Sequence, residues 1–165
     1  MNKIQAAIIT MSDSRSQSTE KADESGAVIK EILEANDYEV VHYELISDDL
    51  DGIKNSLIRV CDQNISLVLT TGGTGLSKRD NTPEATKAVI EKEVQGISEA
   101  MRYHSLQITP RAMLSRGVSG IRQNSLIINL PGSPKAVREN LEYIIPSLRH
   151  GLEILRGEAS NCARK

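Results

Sequence analysis

Two short, nearly continuous apolar runs, residues 4–10 and the segment around Leu67-Val68-Leu69, constrain the fold of this chain more than any other feature. A strand that is apolar on both faces must be covered on both faces, which demands a parallel sheet between two helical layers. The sequence between the runs agrees. From Ser25 to Ala35, the residues Val28, Ile29, Ile32 and Leu33 recur at helical spacing, and Tyr38 to Ile46 alternates as a strand does. From Asp51 to Gln63, a second helical stripe carries Ile53, Leu57, Ile58 and Cys61. The order strand, helix, strand, helix, strand is that of a parallel α/β unit.

Beyond the second run, Thr82 reads as a helix N-cap with Pro83 at the first helical position and Glu84 where the helix dipole favours negative charge. This helix is predicted to run to about Glu93, and a further helix to span Ile97 to Gln107. Thr109 or Pro110 starts a short segment ending near Arg116. Gly117–Arg122 and Ser125–Leu130 read as a hairpin through Gln123-Asn124 that adds an antiparallel edge. Ser133-Pro134 then caps a long helix with Val137, Leu141, Ile144, Leu148, Leu152 and Leu155 inward, which Pro146 is predicted to kink or split. The expected fold is a three-layer α/β/α domain over residues 1–156, with a mostly parallel sheet and an antiparallel edge strand. A polar, mobile tail is expected over 157–165.

Composition narrows the function. A formal net charge of −2 without a long basic run gives no electrostatic basis for nucleic-acid binding. The aromatic residues are Tyr38, Tyr43, Tyr103 and Tyr143, with no Phe or Trp, so base-stacking platforms are not expected either. Cys61 and Cys162 are far apart, and His42, His104 and His150 are scattered, so no zinc-ligand spacing arises. No apolar run approaches the roughly 20 residues that span a bilayer. The first apolar run starts within three residues and lacks a small-residue cleavage pattern, so a cytoplasmic protein is expected.

In a parallel sheet with right-handed crossovers, the loops that follow the strands open on one edge, where ligands of such folds bind. Four polar loops meet there. They are Ser12-Asp13-Ser14-Arg15-Ser16, Ser47-Asp48-Asp49, the stretch T-T-G-G-T-G-L-S-K-R-D from Thr70 to Asp80, and Leu130-Pro131-Gly132-Ser133-Pro134. Gly72, Gly73 and Gly75 leave backbone amides uncovered to cradle an anion. Arg79 can hold phosphate oxygens bidentately, whereas Asp80 would repel them unless a divalent cation bridges the two. Asp48 repeats that logic from another loop, so Asp48 and Asp80 together point to Mg²⁺. Asp48-Asp49 can equally cap the helix beginning near Leu50, and Ser12-Asp13 can be a solvated loop. The Pro131-Gly132 turn before a capped helix is a second anion site. A Walker A loop is absent because Ser77 precedes Lys78 and no Ser or Thr follows it; a dinucleotide fingerprint lacks its third glycine.

T-T-G-G-T-G at 70–75, R-D-N-T-P-E-A-T at 79–86, A-M-L-S-R at 112–116 and L-P-G-S-P-K-A-V at 130–137 resemble the signature blocks of the MoaB/Mog group of molybdenum-cofactor biosynthesis proteins. The resemblance extends from Ile4 to about Leu155. It implies a molybdopterin adenylyltransferase, which moves AMP from MgATP to the terminal phosphate of molybdopterin and releases pyrophosphate. By that resemblance Asp48 and Asp80 are the essential acids and Mg²⁺ ligands. Gly72, Gly73, Thr74 and Gly75, with Arg79, Ser12 and Asp13, form the nucleotide-phosphate site, while Ser115, Pro131, Gly132 and Ser133 lie on the pterin side. It also implies a homotrimer and transfer of product to a downstream molybdenum-insertion protein. A non-catalytic molybdopterin-binding or scaffold protein of the same fold is the alternative, followed by the nucleotide-hydrolysing domain of competence-damage proteins.

Overall fold

The computed structural model describes residues 3–16 and 22–158, so the segment 159–165 of the expected tail, including Cys162, lies outside the described residues. Among the described residues, six strands form one sheet in the order β2-β1-β3-β6-β5-β4. These are β1 Ile4–Met11, β2 Tyr38–Ile46, β3 Leu67–Thr71, β4 Lys92–Glu93, β5 Ser119–Arg122 and β6 Ser125–Leu130. β1 pairs in parallel with β2 and β3, and β3 with β6; β5 runs antiparallel to both β6 and β4. The helices are a single turn α1 Asp13–Ser16, then α2 Glu24–Ala35, α3 Leu50–Asp62, α4 Thr82–Val89, α5 Gln95–Leu106 and α6 Pro134–Leu155, with a 3₁₀ turn at Pro110–Leu114.

The apolar runs behave as two-faced strands. In β1, Ile4, Ala6 and Ile8 join a core with Ile29 and Leu33 of α2 and Leu141 and Leu148 of α6. The alternate residues Ala7, Ile9 and Met11 enter a second core with Ile53, Leu57 and Cys61 of α3 and Ala85 of α4. Leu67 and Leu69 against Val68, and Ile128 against Ile127, divide the same way. Strand periodicity thus sorts one continuous apolar run into two cores, one on each face of the sheet.

Three local expectations are corrected. Thr82 is the first residue of α4 rather than its cap; Asn81 holds the cap position, without a side-chain cap bond. The Thr82 hydroxyl instead donates to the Gly72 carbonyl at 2.9 Å, and its amide to the Gly73 carbonyl at 3.1 Å. α4 stops at Val89, and Lys92–Glu93 becomes an edge strand because Glu91 and Val94 donate their amides to Ile121 and Ser119 at 2.8 Å each. Exposed charges at so short an edge discourage further strand pairing. Pro146 does not split α6, which is continuous over 22 residues. Pro146 and Glu142, whose carbonyl loses its usual donor there, are both exposed, so water can take the vacant place.

Candidate active site

The parallel strands β1, β2, β3 and β6 deliver their following loops to one edge, as their directions require. Asp48, after β2, accepts a hydrogen bond from the Asp13 amide at 2.9 Å, and the Asp48 amide donates to Asp13 Oδ1 at the same distance. This reciprocal bond joins the first two loops. Asp49 is the N-cap of α3, its carboxylate accepting from Gly52 N at 2.8 Å, so the two adjacent acids divide the work of capping and site building. The third loop reaches the second through Asn81, whose amide group donates to the Asp48 carbonyl at 3.0 Å. Thr71 Oγ1 donates to the Pro131 carbonyl at 2.6 Å and ties in the fourth loop. A cavity of about 180 Å³ between them is lined by Thr10, Met11, Ser12, Thr71, Gly72 and Gly132.

Glycines allow this convergence. Gly72 has φ +93°, and a Cβ there would lie 2.4 Å from the Met11 carbonyl oxygen. At Gly73, φ +66°, a Cβ would meet Thr82 Oγ1 at 2.4 Å and Asp48 Oδ1 at 3.0 Å, and at Gly75 one would sit 2.9 Å from Asp80 Oδ2. Both acids therefore press against bare backbone of the glycine loop. Asp80 Oδ2 also accepts from Ser77 N at 2.9 Å, which folds the loop tip onto the carboxylate. Thr74 is buried, and its carbonyl accepts the Arg116 amide at 2.9 Å.

The site is short of positive charge. Burial pushes the Asp48 carboxyl above its usual range, the carboxylates of Asp13 and Asp80 push it further, and only the Asp13 amide and Arg79 pull it back. Its Oδ1 is buried and has no hydrogen-bond partner among the described residues. A buried carboxylate oxygen left without a donor, with other carboxylates close by, is a setting that a divalent cation relieves. No group of three or more His, Cys, Asp or Glu residues among those described could hold a metal. The donor set still fits Mg²⁺, which needs only one or two carboxylates when phosphate and water complete its octahedron.

Arg79 does not lie open for an anion. Its Nε and Nη2 each donate to the Asp13 carboxylate at 2.9 Å, a bidentate pair that holds the Asp13 carboxyl at about 2. Ser133 is also engaged, its Oγ accepting from Ala136 N at 3.1 Å as the N-cap of α6. Gly132 is exposed, and its carbonyl takes the Ser25 hydroxyl at 2.7 Å. Pro131 and Ser115 line a separate cavity of about 210 Å³ between α5, α6 and β6, with Met101, Ser105, Asn129 and Asn140.

Two site residues had no role in the sequence reading. Asn129, buried in β6, donates from Nδ2 to the hydroxyls of Thr70 and Thr86 at 3.0 and 2.9 Å, and accepts the Val118 amide at 3.1 Å. An amide inside the apolar run L-I-I-N-L was the available signal, because a buried polar group needs partners. Arg116 ends the A-M-L-S-R segment at 112–116, and its spacing along the chain carries no sign of its bonds to the glycine loop.

A three-layer α/β fold whose strand ends converge on paired carboxylates and a glycine loop has the architecture of the open α/β proteins that bind ligands beyond the carboxyl ends of their strands. The chain belongs to the molybdenum-cofactor biosynthesis family described as a probable molybdopterin binding domain, matched over residues 7–150. It is 45% identical over 161 residues to a protein of Helicobacter pylori strain J99 named molybdopterin adenylyltransferase, covering 95% of this chain and 90% of that one. Molybdenum cofactor biosynthesis protein B of Staphylococcus aureus strain COL is 39% identical over 152 residues, covering 89% of each. The crystal structure of the molybdopterin biosynthesis enzyme MoaB from Thermus thermophilus superposes with a TM-score of 0.88 at 44% identity, over 93% of this chain and 97% of that one. No helix among the described residues is long and apolar enough to cross a membrane.

Proposed function

We propose that this enzyme adenylylates molybdopterin: a terminal phosphate oxygen of the pterin attacks the α-phosphorus of ATP, and the bond to the β-phosphate breaks to release pyrophosphate. The observation that carries the reading is the buried, partnerless Oδ1 of Asp48, crowded by the charges of Asp13 and Asp80 beside the glycine loop. A protein that only bound an anionic pterin would gain nothing from such acids. Asp48 and Asp80 would hold Mg²⁺, which supplies charge neutralisation at the phosphates.

The chain's own residues supply position. The amides of the Gly72–Gly75 loop orient the nucleotide phosphates, and Arg79 exchanges Asp13 for a phosphate oxygen pair. That exchange is inexpensive, because both side chains are over a third exposed and water screens their attraction. The neighbouring cavity beside Ser115 and Pro131 suits the pterin, with a mostly apolar surface and many polar side chains, Ser105, Asn129 and Asn140 among them, to orient it. Phosphoryl chemistry of this kind depends on positioning and electrostatics more than on covalent help from protein. Incubation with MgATP and molybdopterin should yield adenylylated pterin by mass spectrometry and one pyrophosphate per product. Tight pterin binding with no pyrophosphate would instead identify a non-catalytic binder.

A further inference from the structure

Arg116 sits between the two halves of this site and lines neither of the two cavities described above. Its Nε donates to the Gly75 carbonyl and its Nη2 to the Asp80 carbonyl, both at 2.7 Å. Its Nη1 donates to the Glu84 carboxylate of α4, and its backbone amide holds the Thr74 carbonyl at 2.9 Å. One residue thus grips the glycine loop at Thr74, Gly75 and Asp80, the points where the loop enters its tip and where it leaves. With all three guanidinium nitrogens engaged by protein, Arg116 differs from Arg79, whose bonds run to the partly exposed carboxylate of Asp13.

The same residue is anchored on its other side to the second cavity. Its neighbours Ser115 and Gly117 both line that cavity, and the Gly117 carbonyl accepts Arg102 Nη1 at 2.9 Å. Gly117 is packed so closely that a Cβ would lie 3.2 Å from the Asn129 carbonyl oxygen. Segment 115–117 is therefore a fixed wall from which the guanidinium reaches across to the loop. A planar fork with fixed donor directions can set the spacing of two carbonyls, which the point charge of a lysine cannot. Glu84, its carboxyl held below the usual range by the Arg116 guanidinium, fixes the fork in turn.

We propose that Arg116 is a positioning residue, which clamps loop 74–80 so that the Asp80 carboxylate faces the nucleotide. The inference rests on the adenylyltransferase reading for its functional consequence but not for its structural one, so two measurements separate them. In the ligand-free protein, hydrogen exchange at the Ser77 and Asp80 amides should quicken at least tenfold in Arg116→Ala, while the amides of α3 keep their protection. Unaltered loop exchange would overturn the clamp whatever the protein's activity. In the adenylylation assay, Arg116→Ala should raise the KM for MgATP at least tenfold, Arg116→Lys should recover only part of it, and methylguanidinium should restore Arg116→Ala. A merely structural residue would lower the active fraction and leave KM and rescue untouched, and that result would refute the proposal. Should the wild-type chain bind no MgATP, the functional reading fails while the exchange result still decides the clamp; should Arg116→Ala not fold, exchange in Arg116→Lys decides it.

Discussion

Replacing Asp48 by Asn tests the charge argument at its source, because the amide keeps the shape and removes the charge. Asn can still accept the Asp13 amide through Oδ1 at the place of Asp48 Oδ2. What disappears is a carboxylate whose ionisation is opposed by burial and by Asp13 and Asp80. The folded, ligand-free protein should therefore lose an unfavourable interaction, and its stability should hold or rise by up to about 1 kcal/mol, the gain from removing the crowded charge being partly offset by an NH₂ group that inherits a buried position without a partner. For a chain of this size that is a melting temperature between unchanged and roughly 4 °C higher. Turnover should fall by about 100- to 1,000-fold, the usual loss of one electrostatic contact to a transition state, or about 3–4 kcal/mol. Thermal melting by circular dichroism, with and without MgATP, and the mass assay for adenylylated pterin read both effects. MgATP should raise the melting point of wild type and leave the variant's nearly unmoved. A variant that melts several degrees lower, or one that retains full turnover, would refute the account of Asp48 as a functional acid held at a structural cost.

Two other perturbations probe the same edge. The Asp13 carboxyl is held at about 2, below its ordinary value, by the Arg79 guanidinium, so its stabilising contribution is complete above about pH 4 and is lost as pH falls from there toward 2. Acid melts of Asp13→Asn should accordingly show a flatter stability profile than wild type between pH 4 and 2; an identical slope would contradict the pairing. Gly72→Ala places a side chain at φ +93° and 2.4 Å from the Met11 carbonyl oxygen, which should cost about 3 kcal/mol and lower the melting point by roughly 6–12 °C. A drop under about 2 °C would show that the loop can move aside.

The fold was legible because its strongest signals are local. The two-faced runs of β1 and β3 announced a covered parallel sheet, and the stripes of α2 and α3 announced the layers. β4 was not legible, since two charged residues, Lys92 and Glu93, carry no strand pattern and owe their conformation to carbonyls and amides of β5. Thr82 has the chemistry of a cap, but the glycine loop competes for its hydroxyl, and tertiary bonding won. At the site, the topology brings Asp13, Asp48, Arg79 and the glycine loop together, because each follows a parallel strand and such loops share one edge. The pairing of Arg79 with Asp13, and the bonds of Arg116 and Asn129, join positions whose separation along the chain encodes no contact.

The pairing of β3 with β6 sits at the centre of the sheet and joins Leu67 to Leu126, across a long intervening stretch of chain. Contacts of that separation form late, because the loop between them must be ordered before they return any stabilisation. As the chain leaves the ribosome, Asp13, Asp48 and Asp80 all emerge before β6, and the turn at Pro131-Gly132 that faces them follows it. Half of the cleft thus exists only as a promise until the last strand docks, and nucleotide capture would serve as a natural readout of completed folding.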